Sequence, residues 1–138
     1  MKQTLSKEDL ALCRVDLLKS ETRFRSVDEI VDYLKSRIEA HRMPRFIAVF
    51  DHYAHTASLP EGTIAPEILA AKNVILCFGL TLPDPEALAL RPRSIGVCEL
   101  ADRFVITFLE PPMPVANTLV EEWVRSTCNG MGCAESGQ

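Results

Sequence analysis

The apolar residues of this chain come in short runs, and this constrains the fold more than any other feature of the sequence. The long run VILCFGLTL (74–82) is about half the length that a membrane-spanning helix needs. Proline, glycine or polar residues separate it from the other runs, a pattern that is typical of β-strands. We therefore predict five strands, at 10–19, 45–51, 73–82, 94–100 and 103–110.

Two longer segments have the spacing of amphipathic helices instead. Residues 26–41 begin with Ser26 and Glu29 at the spacing of a capping box. Their apolar positions fall on one helical face: Val27, Ile30, Val31, Leu34 and Ile38. Residues 114–127 begin with a proline, and their apolar face is predicted from Val115, Leu119, Trp123 and Val124. Shorter helical pieces are predicted at 66–72 and within 84–90.

The predicted order is strand, helix, four strands, helix, which indicates an α+β fold with a mostly antiparallel sheet and helices on one face. We expect one domain over residues 1–127 and a flexible tail over 128–138. The strand at 45–51 is apolar on both faces, so we expect both to be covered. The face away from the helices would carry Ile47, Val49, Ile75, Cys77, Val105 and Leu109. Such a face predicts a homodimer formed through the sheet.

Charge and cysteine content exclude some classes of function. The net charge of -4 and the pI of about 5.4 argue against nucleic-acid binding, which normally needs a basic surface. The first ten residues lack the apolar core of a secretory signal, so we expect a cytoplasmic protein without a membrane partner. Five scattered cysteines, an odd number, indicate reduced thiols.

The stretch FDHYAHT (50–56) holds the first set of candidate site residues: Asp51, His52 and His55. Imidazole and carboxylate groups are metal ligands, so the three could bind zinc or a related ion. They converge only if the chain turns at Asp51 or His52, because successive strand residues point to opposite sides. A polar ligand pocket and a purely structural role, with Asp51 capping a turn, are the alternatives.

Two other motifs carry candidate chemistry. Arg91 and Arg93 flank a proline, and arginine side chains match carboxylate or phosphate groups, so a small anionic ligand is a candidate partner. Cys128 and Cys133 lie in a glycine-rich segment and could close a disulfide, hold a soft metal or act as a thiol relay, although the spacing is not that of a C-x-x-C motif. The sequence contains no G-x-S-x-G and no phosphate-binding glycine loop.

The chain also resembles family three-hundred-and-two of the bacterial domains of unknown function, or a divergent sister family. The resemblance covers about two-thirds of the chain. It is carried in order by the helix at 26–41, Phe50-Asp51-His52, PEIL (66–69), CFG (77–79), RPRSIGVCEL (91–100) and FVITFLEPP (104–112). It implies a small α+β fold with a curved antiparallel sheet, like one half of the TATA-binding-protein fold, and a dimer. It implies no activity.

These observations leave two hypotheses for function. The first is a homodimeric cytoplasmic domain that binds a small ligand or a partner protein without catalysis. The second is a metal- or thiol-dependent redox or sulfur-handling protein that uses Asp51, His52 and His55, or the pair Cys128 and Cys133. No particular cofactor follows from the sequence, and it leaves open whether any reaction is catalysed.

Overall fold

The structure of the protein is a computed structural model that describes residues 11–110, 114–128 and 134–136. Six strands and four helices follow one another in these ranges. Their order is β1 (Leu12–Leu18), α1 (Val27–Glu39), β2 (Arg45–Phe50), α2 (His52–Ala57), β3 (Ala70–Cys77), α3 (Ala87–Leu90), β4 (Arg93–Glu99), β5 (Arg103–Leu109), α4 (Pro114–Arg125) and β6 (Ala134–Ser136). A short 3-10 turn, Lys19–Glu21, follows β1.

The strands form one open sheet in the order β2-β3-β4-β5-β1-β6, and every neighbouring pair is antiparallel. The predicted α+β class and antiparallel sheet are thereby confirmed. β4 and β5 join in a tight hairpin, in which the Leu100 N–H donates to the Arg103 carbonyl over 2.8 Å. β1 pairs with β5, so the first strand of the described chain lies beside the hairpin that β4 and β5 form.

Helix α1 forms as its sequence predicts. The Ser26 hydroxyl accepts from the Glu29 N–H over 3.1 Å and so satisfies one of the free donors of the first turn. The Glu29 carboxylate reaches back one residue further than in a standard capping box and accepts from the Arg25 N–H over 2.7 Å. All five predicted apolar positions are buried against the sheet: Val27, Ile30, Val31, Leu34 and Ile38.

Helix α4 completes the layer that covers the same face of the sheet. Trp123 is 1% exposed and stacks on Phe78 with ring centroids 6.3 Å apart. The apolar face that is buried consists of Ala116, Val120, Trp123 and Val124. The prediction was therefore wrong at Val115, which is 60% exposed, because the buried stripe starts one residue later.

Strand β2 differs from its prediction. It is the edge strand of the sheet, and a bulge between Phe46 and Ala48 shifts its register against β3. The predicted division of its side chains between the two faces fails after this bulge, since Phe50 then pairs with Asn73 and lies on the face away from α1. Ile47 is 51% and Phe50 40% exposed in the single chain, so cover of both faces, which was expected from a second copy, stays a prediction.

The segment after β2 also departs from expectation. Residues 66–72 do not form the predicted helix, since Ala70 already pairs with Glu99 and the Leu69 N–H donates to the Glu99 carbonyl. A seven-residue helix is marginal, and pairing with β4 satisfies the same backbone groups. The third strand ends at Cys77 rather than at 82. Helix α2 and strand β6 were not predicted.

The division into a domain at 1–127 and a flexible tail at 128–138 stays a prediction. Residues 129–133, 137 and 138 lie outside the described part of the chain. Residues Ala134–Ser136, within the predicted tail, pair with Arg14–Asp16 of β1. Among the residues that the structure describes, no helix has the length and apolar character required to cross a bilayer.

Replacing Trp123 with alanine tests the helix layer. The change removes a fully buried aromatic side chain that packs on Phe78, so we expect it to lower the free energy of unfolding by about 3–5 kcal/mol. The matched control is Val115→Ala on the same helix, which should change it by less than about 0.5 kcal/mol because Val115 is exposed. Urea unfolding followed by circular dichroism measures both, and similar losses for the two variants would contradict this packing.

Candidate functional site

The face of the sheet opposite α1 and α4, here called the open face, carries a row of side chains across its strands. The antiparallel pairing sets Asn73 beside Gly96, Gly96 beside Thr107, and Thr107 beside Arg14. Directly paired residues point to the same face of a sheet. The row therefore crosses β3, β4, β5 and β1 in line, and the strand alternation places Ser94 on the same face two residues before Gly96.

Gly96 leaves the centre of this row bare. A Cβ atom added there would lie 2.9 Å from the Thr107 hydroxyl oxygen and 3.9 Å from the Asn73 amide nitrogen. The Asn73 amide on β3 and the Thr107 hydroxyl on β5 thus lie close to Gly96 from the two adjacent strands. Glycine in a strand interior weakens the strand, and it often marks a place where another molecule approaches the backbone.

A chain of hydrogen bonds fixes one side of the row. The Asn73 amide nitrogen donates to the Ser94 hydroxyl over 2.8 Å, and the Asn73 amide oxygen faces His52 Nδ1 at 3.1 Å. Because an amide oxygen only accepts, His52 Nδ1 is the donor of that bond. His52 therefore holds the orientation of Asn73, and Asn73 uses up one acceptor position of Ser94.

A cavity of about 320 Å³ lies over this region. Part of α3 and the start of β4 form one wall, and the start of β1 and the end of β5 form another. The lining residues are Leu12, Asn73, Ala89, Leu90, Pro92, Arg93, Ser94, Gly96, Thr107, Phe108 and Leu109. Most of them are apolar, and the polar groups are concentrated around Gly96.

The predicted residues of FDHYAHT take up separate positions. The chain turns at Asp51, whose carboxylate accepts from the Ala54 N–H over 2.9 Å and caps α2, as the structural alternative proposed. His52 and His55 then lie on one face of α2 and both contact the Phe50 ring, with centroid distances of 5.1 and 5.3 Å. The two imidazole rings are 6.2 Å apart.

The metal-binding role of Asp51, His52 and His55 stays a prediction. Among the described residues, no group of three or more histidine, cysteine, aspartate or glutamate side chains is arranged to hold an ion. His52 instead lines a second, smaller cavity of about 170 Å³ between α2 and the segment at 63–68. His52 and Asn73 thus lie between the two cavities, one residue lining each.

The two arginines of RPRS also separate. Arg93 lines the larger cavity, which brings it to the same region as Asn73 and Ser94. Arg91 instead donates to the Thr81 carbonyl over 2.6 Å and holds the loop that precedes β4. Only Arg93 of this pair therefore lines the cavity, and its pairing with the buried Leu76 places it on the face opposite Ser94 and Gly96.

The thiol candidates lie apart from this site. Cys128 is disulfide-bonded, so the expectation that all five cysteines are reduced thiols does not hold there. Cys133 lies outside the described residues. Cys98 is a free cysteine on the open face, two residues beyond Gly96. Burial raises the pKa of the Cys98 thiol, which keeps it protonated and poorly nucleophilic at neutral pH.

A charged cluster borders the row on its β1 side. Asp16 accepts from Arg14 Nε over 2.6 Å and from Arg103 over 3.0 Å. These arginines lower the pKa of Asp16, Arg14 first, and the carboxylate in turn raises the pKa of Arg14. Asp102 also pairs with Arg103 at 3.0 Å. The charges here largely neutralise one another.

The sequence analysis missed Asn73, Ser94, Gly96 and Thr107. No local motif joins them, because they come from three strands and meet only through the register of the sheet. One signal was present: Gly96 interrupts the apolar strand SIGVCEL, and an isolated strand glycine indicates a bulge or a close approach.

The chain belongs to a family of unknown function, DUF6858, whose model matches residues 1–129. The predicted membership of family three-hundred-and-two was therefore wrong, although the expectation of an uncharacterised family is confirmed. Among the features that suggested the other family, Phe50-Asp51-His52 lies at the junction of β2 and α2. No curated protein and no solved structure matches the chain.

Replacing Asp16 with asparagine tests the charged cluster. Because the folded state lowers the pKa of Asp16, its carboxylate stabilises the fold above its ordinary pKa of about 3.9, and this contribution is lost as the pH falls through the lower folded-state value. We expect Asp16→Asn to reduce the free energy of unfolding by about 1 kcal/mol at pH 7 and by less at pH 3.

Denaturant unfolding at both pH values measures this difference. Asp102→Asn is the control, since the Asp102 side chain is 66% exposed and should contribute less at pH 7. A gap between Asp16→Asn and the unaltered protein that does not change between pH 7 and pH 3 would contradict the role given to the cluster.

Proposed function

We propose that the protein is a non-catalytic binding domain that takes a small molecule into the cavity over Gly96 on the open face. The observation that carries this proposal is the bare backbone of Gly96 in a central strand, framed by Asn73, Ser94 and Thr107. A side chain at this position would cover the strand as its neighbours do. Its absence leaves the Thr107 hydroxyl and the Asn73 amide beside Gly96 as the polar groups that a ligand in the cavity meets.

The composition of the cavity supports the same function. Small-molecule sites are concave and mostly apolar, with a few placed polar groups, and their volumes start at about 300 Å³. The cavity has a volume of about 320 Å³ and combines apolar walls, including Leu12, Leu90 and Leu109, with a polar floor. This size suits a small ligand rather than a dinucleotide or a peptide.

The metal- or thiol-dependent alternative has less support. The Asp51 carboxylate caps α2, and His52 Nδ1 is engaged with Asn73. Of the proposed thiol pair, Cys128 is disulfide-bonded. Asp51 and His52 are thus engaged in hydrogen bonds within the fold, and Cys128 does not line the cavity. The disulfide itself is compatible with a redox pair, since it is the oxidised form of two thiols.

A homodimer through the open face is the second candidate, and the leucines around the cavity mouth favour it. Leu12 and Leu109 pair with each other across β1 and β5 and are 53% and 45% exposed, and Leu88 of α3 is 63% exposed. The neighbouring charges Arg14, Asp16 and Arg103 pair with one another, so little charge opposes burial of this face. A second copy would cover the leucines and enclose the ligand.

Blocking the bare strand tests the binding site. We expect Gly96→Val to abolish binding of fragments that the unaltered protein binds, because the added side chain fills the cavity floor and meets Thr107. The control is Cys98→Val on the same strand and face, outside the cavity lining, which should retain binding. Amide chemical-shift changes on titration of a fragment library measure binding, and thermal melting verifies the fold of both variants.

Three results of this experiment would overturn the proposal. They are the absence of any fragment that shifts the resonances of Asn73, Ser94, Gly96 or Thr107, binding elsewhere only, and unchanged binding by a folded Gly96→Val variant. If Gly96→Val does not fold, Gly96→Ala combined with Thr107→Ala removes the close contact while still covering the strand.

Light scattering tests the dimer. We expect a mass of twice the 15.4 kDa chain at micromolar concentration, and a monomer for Leu109→Glu, which places a charge within the proposed interface. Val115→Glu is the control, because Val115 is 60% exposed, more than Leu109 at 45%, but lies in the helix layer. A monomeric unaltered protein, or equal effects of the two variants, would contradict the dimer.

A further inference from the structure

We infer that His52 is a positioning residue for this cavity: acting through Asn73, it determines whether the Ser94 hydroxyl can donate a hydrogen bond to a ligand. This inference rests on the proposed function and concerns the regulation of the same site. It follows from the donors and acceptors of three side chains that are hydrogen-bonded in line, His52, Asn73 and Ser94.

His52 acts on the larger cavity from outside it. Asn73 and Ser94 line the larger cavity, whereas His52 lines the smaller one beside α2. The His52 ring packs edge-on against the Phe50 ring, with 5.1 Å between the ring centroids. The imidazole meets the amide oxygen of Asn73, and the amide nitrogen of the same side chain meets Ser94. A change at His52 therefore reaches the cavity through the amide group of Asn73.

The observed hydrogen bonds leave the proton of the Ser94 hydroxyl free. His52 Nδ1 donates to the Asn73 amide oxygen over 3.1 Å, and the Asn73 amide nitrogen donates to Ser94 Oγ over 2.8 Å. A hydroxyl that accepts one hydrogen bond keeps its own proton and one further lone pair. In this first state, Ser94 can both donate to and accept from a molecule in the cavity.

Movement of the imidazole proton to the other ring nitrogen reverses the direction of both hydrogen bonds. Neutral imidazole has one donor and one acceptor nitrogen, so His52 Nδ1 accepts when the proton is on Nε2. The Asn73 amide then turns over, so that its nitrogen donates to His52 and its oxygen faces Ser94. The Ser94 hydroxyl donates its one proton to that oxygen. In this second state, Ser94 accepts from a ligand but has no proton to donate to it.

The two states differ only for ligands that present an acceptor to Ser94. A ligand group that only donates meets a free lone pair of the Ser94 oxygen in both states. A group that only accepts meets a Ser94 proton in the first state alone. Because the two equilibria are linked, whatever keeps the imidazole proton on His52 Nδ1 strengthens the binding of an acceptor ligand, and an acceptor ligand in turn favours that tautomer.

Two variants of the same shape test this role. Ionised glutamate only accepts, whereas glutamine also donates, so His52→Glu enforces the second state and His52→Gln permits the first. The probes are pyridine, whose ring nitrogen only accepts, and pyrrole, whose ring N–H only donates. We expect His52→Glu to weaken pyridine binding about tenfold, because a hydrogen bond to a charged group holds the reversed amide, and to change pyrrole binding by less than about twofold. His52→Gln should retain the binding of both probes.

His55→Glu is the matched control. It places the same charge on the same helix, and His55 contacts the Phe50 ring at 5.3 Å as His52 does at 5.1 Å, but it is His52 that bonds to the Asn73 oxygen. This control should leave the binding of both probes unchanged. Shifts of the Ser94 and Gly96 amide resonances on titration measure binding, and thermal melting verifies the fold of each variant.

Nitrogen NMR of the histidine side chains gives a second measurement, which needs no variant. We expect His52 Nδ1 to carry a proton in the unaltered protein, and a neutral His52 protonated on Nε2 alone would overturn the inference. Unchanged pyridine binding in His52→Glu, equal losses of pyridine and pyrrole binding, equal effects of His52→Glu and His55→Glu, or no binding of either probe over Gly96 would also overturn it. The proposed function itself falls only if the whole fragment library fails to bind at this face.

Discussion

Burial of one face of the sheet under α1 and α4 is the interaction on which the other features depend. The largest fully buried side chains come from both layers, among them Trp123, Phe104, Leu17, Ile30 and Leu34. At about 1.5–3 kcal/mol for each such side chain, this layer supplies the main favourable contribution to folding. With the core on one side, the other face is released from the requirement to be apolar. That freedom allows Asn73, Gly96 and Thr107 to occupy the centre of the sheet.

The packed sheet holds the residues of the candidate site in fixed positions. Asn73, Ser94, Gly96 and Thr107 lie on strands whose opposite faces carry buried residues such as Val74, Ile95 and Ile106. Groups held by a packed scaffold keep their geometry without a ligand, which lowers the entropic cost of binding. The bond between His52 and Asn73 extends this order to α2 and explains why FDHYAHT contributes to the site only through His52.

The sequence predicts best those features that depend on residues close together along the chain. Helix α1 is correct in its cap and its buried face because both follow from spacing within one segment. Strand β2 was misjudged because its bulge and its edge position are properties of the assembled sheet. The site was missed for the same reason. Asn73, Gly96 and Thr107 are separated along the chain by 23 and 11 residues, and only the strand register aligns them.

The central claim is that the bare strand at Gly96 is where a small molecule contacts this protein. A crystal structure of the full chain soaked with a library of small fragments tests it most directly. The account predicts density for a soaked molecule over Gly96, with polar atoms within hydrogen-bond distance of the Ser94 or Thr107 hydroxyl. Density only at other surfaces, or a Gly96 strand covered by the protein's own side chains, would contradict it.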